Sequence, residues 1–268
     1  MMDKSLAKIR EWISDRTGAS ESTGLEAVDK GIASFVSGFF SMVRITEPSE
    51  SQQRFAAFLA RPPAERVYVG RYDSAIEFLH AMKRARSGAG RRPRKPGQEQ
   101  GRDLINHDAL PLINLSRTFD VGYENQDRSK DVRDIGKFCD PKTGKPLAEL
   151  ERTQAMLTYS VTFIAAEKET LSLMCNAYAG RMKQLLSTKV KADTILVRVP
   201  VSLECALMGA KDVSFSDVSS PMNEERLFAA QTTIDVTAEV MTAWEVEARP
   251  KFTQMSVSLR AWNEGGRN

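Results

Sequence analysis

The sequence has few of the side chains that carry enzymatic chemistry. It contains two histidines, His80 and His107, and neither has a second histidine or a cysteine at the spacing of metal ligands. The glycines Gly88 and Gly90 are not followed by the Gly-Lys-Ser/Thr of a phosphate-binding loop. No catalytic residue, metal site or cofactor is therefore predicted, and the chain is not expected to be an enzyme. A hydrolase that uses one of the histidines is the least favoured alternative.

The chain also lacks long apolar runs and closely spaced cysteines. Its most apolar run, residues 31–43, is shorter than the roughly 20 residues that cross a bilayer, and the N-terminus has no signal-peptide pattern. The cysteines, Cys139, Cys175 and Cys205, are widely spaced, which is typical of reduced thiols and not of a disulfide framework. We therefore expect a soluble protein that is made in a cytosol and has no membrane partner.

An excess of one charge is absent from the chain as a whole but present in one segment. The net charge of +3 is too small to indicate a nucleic-acid-binding protein by itself. Residues 83–102 combine basic side chains with proline and glycine, which predicts a flexible basic loop. Its candidate contact residues are Lys83, Arg84, Arg86, Arg91, Arg92, Arg94 and Lys95. A solvated loop is weighed equally with a contact to passing DNA or to an acidic partner, and the lack of aromatic residues argues against base stacking.

The stretch 156–246 has the clearest secondary-structure pattern. Residues 156–165 alternate between apolar and polar side chains, which predicts a half-buried strand. In residues 167–186 the apolar side chains recur every three to four residues, which predicts a helix. A polar, turn-rich segment at 209–223 leads into a long alternating strand at 225–246. The stretch therefore predicts a sheet that buries one face against a helix.

Another strand is predicted at 194–207. Its odd-numbered side chains, from Ile195 to Leu207, are apolar and are expected to face the core. The opposite face carries Arg198, Pro200, Ser202 and Glu204 and is left for a partner. Because proline cannot donate a ladder hydrogen bond, we expect an edge position or a bulge at Pro200.

The remaining segments add helices and strands around this stretch. Apolar periodicity and capping signals predict helices at 1–15, 25–43, 50–60 and 74–86, with a polar linker at 17–24. Alternation predicts strands at 66–72, 109–121 and 252–262. The polar segment 122–150 is predicted to be a long loop with turns at 140–141 and 143–144.

Together these elements predict an α+β fold. A mixed, mainly antiparallel sheet is expected to pack against one long helix, with additional N-terminal helices and long loops. The predicted organisation is an N-terminal helical region at 1–65, an α+β core at 66–262, and a flexible tail at 263–268. Loop insertions are expected within the core at 83–108 and 122–150.

The order of several segments is similar to that of a known family. These segments are 35–45 (FVSGFFSMVRI), 66–72 with 74–83, 110–116 (LPLINLS), 159–182, 199–210 and 225–241. In that order they resemble the tail terminator family of contractile-tailed bacteriophages, also called the tail sheath stabiliser and completion protein. The matched features are an early helix, a strand with a helix, a Leu-Pro-any-Ile-Asn-Leu segment, a strand running into a long helix, and two long strands. The basic segment 83–102 and the insertion 122–150 depart from the family pattern.

This resemblance implies a homohexameric ring that caps the tail tube and sheath and docks to the neck under the capsid. The implied location is the tail or neck of the virion, and the host cytoplasm during assembly. The implied partners are further copies of the chain, the tail tube and sheath proteins, and neck or head-completion proteins. The strand face with Arg198, Pro200, Ser202 and Glu204 would meet neighbouring copies. The basic loop would suit a lumen through which DNA passes, without reading its sequence.

Two further functions are compatible with the sequence. The chain could be a different virion joint, such as another head–tail joining protein or a baseplate protein built on a related fold. It could also be a nucleic-acid-binding protein that acts through residues 83–102.

Overall fold

The computed structural model describes residues 8–70, 77, 110–124, 136–140, 142–185, 187–208, 212–222 and 225–254. The predicted basic loop and its candidate contact residues, most of the predicted helix at 74–86 and the C-terminal tail lie outside this set. The chain divides into two compact units. One unit comprises Met1–Ser22, Ser129–Arg152 and Thr242–Asn268, and the other comprises Thr23–Arg128 and Thr153–Met241.

The described part of the chain contains more strand than helix. The helices are α1 (Glu26–Ser41), α2 (Gln53–Ala60) and α3 (Lys168–Gln184), with 3₁₀ turns at Glu50–Gln52 and Pro63–Glu65. The strands are β1 (Lys8–Ser22), β2 (Val67–Val69), β3 (Leu112–Glu124), β4 (Gly136–Cys139), β5 (Pro146–Ala165), β6 (Ser187–Leu196), β7 (Val199–Met208), β8 (Ser216–Asp217), β9 (Ser220–Met222) and β10 (Glu225–Gln254). Strands β5 and β10 are long enough to contribute to both units.

The larger unit is built on a mixed sheet with the strand order β2-β3-β5-β10-β7-β6. Strand β2 pairs with β3 in parallel, whereas β3 pairs with β5, β10 with β7, and β6 with β7 in antiparallel ladders. The short strands β8 and β9 also pair with β10. The prediction of a mixed, mainly antiparallel sheet is therefore confirmed.

Two helices of similar length, not one long helix, cover this sheet. Helix α1 has 16 residues and α3 has 17. Helix α3 buries Thr170, Met174, Tyr178 and Met182, one residue per turn. The predicted apolar stripe is confirmed at Met174, Tyr178 and Met182, whereas its other members, Leu171, Cys175 and Leu185, are only half-buried. The ring of Tyr178 contacts Phe163 of β5 at 5.1 Å between centroids and Phe39 of α1 at 5.7 Å. Both helices therefore bury their apolar stripes in one aromatic core around the sheet.

The first segment is a strand and not the predicted helix. Strand β1 pairs antiparallel with β10, from Lys8 opposite Gln254 to Ser22 opposite Thr242. It also includes most of the predicted polar linker, with an irregularity near Gly18, whose φ is 94°. The few apolar residues of this segment fit a helix and a strand equally well. The choice between helix and strand is made by pairing with residues more than two hundred positions away. Local periodicity cannot detect such a partner.

The prediction of a loop at 122–150 is wrong for most of the described residues in that range. Strand β3 continues to Glu124, Gly136–Cys139 forms β4, and β5 begins at Pro146. The predicted turn signals are correct, because Asp140 accepts hydrogen bonds from the backbone amides of Lys142 and Thr143 and Gly144 has a φ of 66°. The described residues between β4 and β5 form a tight turn that joins these paired strands. These residues are polar because little of their surface is buried.

Residues 194–207, predicted to form one strand, belong to two strands of a hairpin. Strands β6 and β7 are joined by Val197 and Arg198, whose φ angles are 48° and 61°. Positive φ at both central residues is the signature of the two-residue turn that matches the twist of a hairpin. The sequence hides this turn, because valine and arginine replace the usual asparagine and glycine. Ile195, predicted to be buried, is 68% exposed as a result.

The predicted long strand at 225–246 is confirmed and is longer, since β10 runs from Glu225 to Gln254. It also contains the start of the strand predicted at 252–262. Ile234, Val236 and Ala238 are buried, as predicted. Beyond them the buried face changes, because Met241 and Ala243 are buried whereas Val240 is only half-buried. The alternation shifts by one residue after Ala238, where the ladder to β7 ends.

The smaller unit has little apolar core in its described part. Its buried apolar side chains there are Pro146, Ala148, Ala243 and Val246. Polar contacts join its strands instead. Glu149 accepts hydrogen bonds from Arg16 Nε at 2.9 Å and Ser14 Oγ at 2.8 Å.

Candidate functional site

The predicted partner face of β7 is only partly available for contacts. Pro200 and Ser202 are exposed on the strand, Arg198 is exposed in the turn, and Glu204 is half-buried. In the strand order β7 lies between β10 and β6, so the expected edge position is wrong for the strand as a whole, and the described end strands are β6 and β2. Pro200 itself pairs with β6 and lies outside the register with β10. Four residues predicted to share one strand face therefore belong to a turn and to an inner strand.

Pro200 is tolerated in an inner strand because of its place in the hairpin. Leu196 and Val199 close the two-residue turn, and Pro200 is opposite Ile195 as the next pair. In such a hairpin the closing pair exchanges hydrogen bonds and the next pair does not. The missing N–H of Pro200 therefore costs no hydrogen bond to β6. On the other side of β7, the ladder to β10 covers Cys205–Leu207 and does not include Pro200.

Glu204 holds the hairpin together. Its carboxylate lies 2.8 Å from Lys189 Nζ on β6 and raises the pKa of that amine. Its backbone amide donates to Glu239 Oε2 of β10 at 3.0 Å. Glu239 is only 8% exposed. It thus satisfies the β7 amide at the point where the ladder with β10 stops. Glu204 is bound within the chain, so the exposed contact residues of this hairpin are those nearer the turn.

An open groove lies on the sheet of the larger unit. It has a volume of about 890 Å³ and is lined by residues of β3, β5, β7 and β10 and by Met182 of α3. Phe119 and Met156 lie on its walls and are 91% and 47% exposed. Asp120 and Asp235 add two carboxylates. The groove therefore combines exposed apolar surface with negative charge.

A strand irregularity presents Phe119 at this groove. The β3–β5 register runs regularly to Arg117 opposite Tyr159 and resumes at Val121 opposite Leu157. The residues between them bulge out of the ladder, which bends a strand and redirects its side chains. The sequence predicts Phe119 on the same face as Ile113 and Leu115, which are fully buried. No turn residue marks the bulge, so sequence reasoning missed this surface.

The carboxylates of the groove differ in their surroundings. Asp235 Oδ1 accepts a hydrogen bond of 2.7 Å from Thr158 Oγ1 on the neighbouring strand, and Asp120 is exposed in the bulge. Within the described ranges, neither carboxylate forms an ion pair with a lysine or arginine. Both can therefore accept contacts from a partner cation without breaking an internal ion pair.

A second polar cluster lies between helix α1 and the sheet. Asp29 Oδ1 accepts hydrogen bonds from Tyr159 Oη at 2.6 Å and from Arg117 Nε at 3.0 Å. Burial, followed by the neighbouring Asp29, raises the pKa of Tyr159, so the phenol remains a donor. This cluster fixes a helix on a sheet and does not line the groove.

Other chemistry can be assessed only where side chains are described. Within that part of the chain, no three His, Cys, Asp or Glu side chains are grouped so as to hold a metal ion. Burial raises the pKa of the thiols of Cys175 and Cys205 to about 11, which makes them poor nucleophiles. None of the described helices has the length and apolar character needed to cross a bilayer.

No protein-family model matches the chain, and no curated protein matches its sequence.

Proposed function

We propose that this chain is a structural virion protein that forms a ring, caps the phage tail tube and sheath, and joins the tail to the neck. The observation that carries the proposal is the exposed groove with its apolar walls at Phe119 and Met156. A monomeric protein rarely leaves large apolar side chains exposed around a concave surface. Such a surface is expected to be covered by another protein in the assembled state.

The arrangement of the family-like segments supports the same proposal. Residues 35–45, 110–116, 159–182, 199–210 and 225–241 all lie in the larger unit. Where described, they supply α1, the start of β3, the β5–α3 connection, β7 and β10. If the chain shares the fold of this family, the segments that match in order are expected to pack in one core. The finer expectation, a tail-terminator-like core built around the helix at 168–184, belongs to this proposal.

The proposed partners follow from the geometry of a tube. A tube grows because every ring offers a surface to the next one, which is a heterologous contact that does not close along the axis. A terminator binds that surface with one side and stops further addition with the other. The proposed contacts are therefore copies of the chain around a ring of six, tube and sheath proteins below, and neck or head-completion proteins above.

Electron microscopy tests the proposal. The purified protein is imaged alone and after gold-labelled protein is mixed with isolated tails. We expect closed rings in the first sample and label at the head-proximal tail end in the second. Label at the capsid-distal end would favour the baseplate alternative. A strict monomer that does not bind tails would contradict a ring-forming terminator.

A contact between the basic loop and passing DNA is a separate part of the proposal. It is supported by the density of basic residues in 83–102. The test is the salt dependence of DNA affinity for the wild type and for a variant in which Arg91, Arg92, Arg94 and Lys95 are neutral. Each lost phosphate contact should reduce the slope of log K against log salt by about 0.9. An unchanged slope would show that this loop does not touch DNA.

A further inference from the structure

The tip of the β6–β7 hairpin is exposed, apolar and positively charged. Ile195 is 68% exposed and stands opposite Pro200, which is also exposed. Arg198 occupies the second position of the turn, and within the described residues it has no ion-pair partner. A two-residue turn holds these side chains on a narrow projection whose backbone is fixed by the ladder behind it. The tip is thus a preorganised convex surface.

The groove offers the complementary properties. Its walls carry Phe119 and Met156, and its carboxylates are Asp120 and Asp235. The volume of about 890 Å³ lies within the roughly 300–1,000 Å³ of pockets that enclose a drug-sized molecule. A groove of that size has room for a few large side chains at a hairpin tip. Apolar surface would meet apolar surface, and an arginine would meet two carboxylates.

The tip cannot fill the groove of its own chain. Strand β7 connects the two surfaces, because Val199 follows the turn and Ala206 lines the groove. The seven steps of extended strand from Val199 to Ala206 span about 23 Å at roughly 3.3 Å per residue. An extended strand in a ladder cannot fold back on itself. A hairpin tip that fills this groove must therefore come from another copy of the chain.

We infer that the β6–β7 hairpin tip of one copy docks in the groove of the next copy, with Arg198 facing Asp120 and Asp235. Tip and groove are different surfaces, so the contact is heterologous and repeats around a ring until the rotation closes it. This inference rests on the proposed ring and names the surfaces that form it. Pairing is directional, since every copy gives one tip and receives one.

Charge reversal on either side tests the contact. The variants are Arg198→Glu at the tip and Asp120→Arg at the groove, with Arg44→Glu and Glu65→Arg as controls at exposed positions away from both surfaces. Oligomer mass is measured by light scattering over a concentration series, with unfolding temperature as a check of the fold. Each interface variant should weaken self-association about a hundredfold or more, because like charges would face each other. The controls should assemble as the wild type does.

A mixture of the two interface variants provides the sharpest result. The Asp120→Arg copy retains a normal tip and the Arg198→Glu copy retains a normal groove. The reversed tip of the Arg198→Glu copy also meets the reversed groove of the Asp120→Arg copy with opposite charge, so both contacts are complementary in the mixture. A 1:1 mixture should therefore regain the association that neither variant shows alone. A third variant, Phe119→Ser, should assemble poorly while keeping its unfolding temperature, because this side chain is 91% exposed.

The outcomes separate this contact from the ring itself. Wild-type rings together with rings of both interface variants would overturn the tip-in-groove contact and leave the proposed function standing. A wild type that stays monomeric in solution and on tails would overturn both. A mixture that associates as weakly as each variant alone would also overturn the contact.

Discussion

Tyr159 donates its phenolic hydrogen to Asp29 across 2.6 Å, which ties the central strand β5 to helix α1. The same carboxylate oxygen accepts Arg117 Nε of β3 at 3.0 Å. Three elements from distant parts of the chain thus converge on one half-buried carboxylate. Because the hydroxyl and the guanidinium give up water to reach it, the cluster is satisfied only while Asp29 is present.

Replacing Asp29 by alanine should destabilise the fold strongly. Removal of one partner leaves a partly buried guanidinium and a buried hydroxyl without an acceptor, at a cost of about 3 kcal/mol. The free energy of unfolding from urea titrations measures this. The matched control is Glu26→Ala in the same helix, whose pair with Lys30 is exposed to solvent and should contribute little to stability. Equal effects of the two changes would contradict a structural role for the cluster.

The Val197→Asn change should stabilise the protein. Valine at a φ of 48° is strained, because its branched side chain crowds the backbone in the left-handed region, where asparagine is tolerated. We expect a gain of about 1 kcal/mol in the free energy of unfolding. Val199→Asn, in the adjoining strand, should instead reduce stability. A loss of stability in both variants would argue against the turn conformation described here.

Two glycines should respond oppositely to alanine. A Cβ at Gly70 would overlap the side chain of Asn114, which is fully buried, so Gly70→Ala should lower the free energy of unfolding by about 1–3 kcal/mol. A Cβ at Gly180, inside α3, meets nothing within 4 Å, so Gly180→Ala should raise it by about 0.5–1 kcal/mol. Thermal and urea unfolding distinguish the two. Stabilisation by Gly70→Ala would show that β2 is placed differently.

The smaller unit should lose stability in acid through Glu149. Arg16, followed by Ser14 and Lys137, holds the pKa of this carboxyl below its ordinary value of 4.5. A lowered pKa stabilises the folded state above pH 4.5, and this contribution disappears as the pH falls through the lowered pKa. Glu149→Gln should cost about 1 kcal/mol at neutral pH and remove this pH dependence.

Amide hydrogen exchange in β4 across a pH series measures that effect after correction for intrinsic exchange rates. Wild-type protection should fall below pH 4.5 more steeply than that of Glu149→Gln. The exposed Glu65→Gln serves as the control. Identical profiles for wild type and Glu149→Gln would contradict the role of this carboxylate.

The parts of the fold that the sequence predicts are those with local causes. Helices α1 and α3 and strand β10 follow from apolar periodicity, and the turn before β5 follows from Asp140 and Gly144. The strand character of β1 depends on β10, whose residues pair with it from the far end of the chain. The candidate site was missed because its features are not local: a bulge exposes Phe119, and a turn without glycine or asparagine exposes Ile195.

The proposed function requires a ring that terminates the tail. Electron microscopy of particles assembled without this chain tests this requirement most directly. The account predicts tails of uncontrolled length, or heads and tails that do not join, with normal particles restored when the chain is supplied. Tails of normal length that are firmly joined to full heads in the absence of the chain would contradict it.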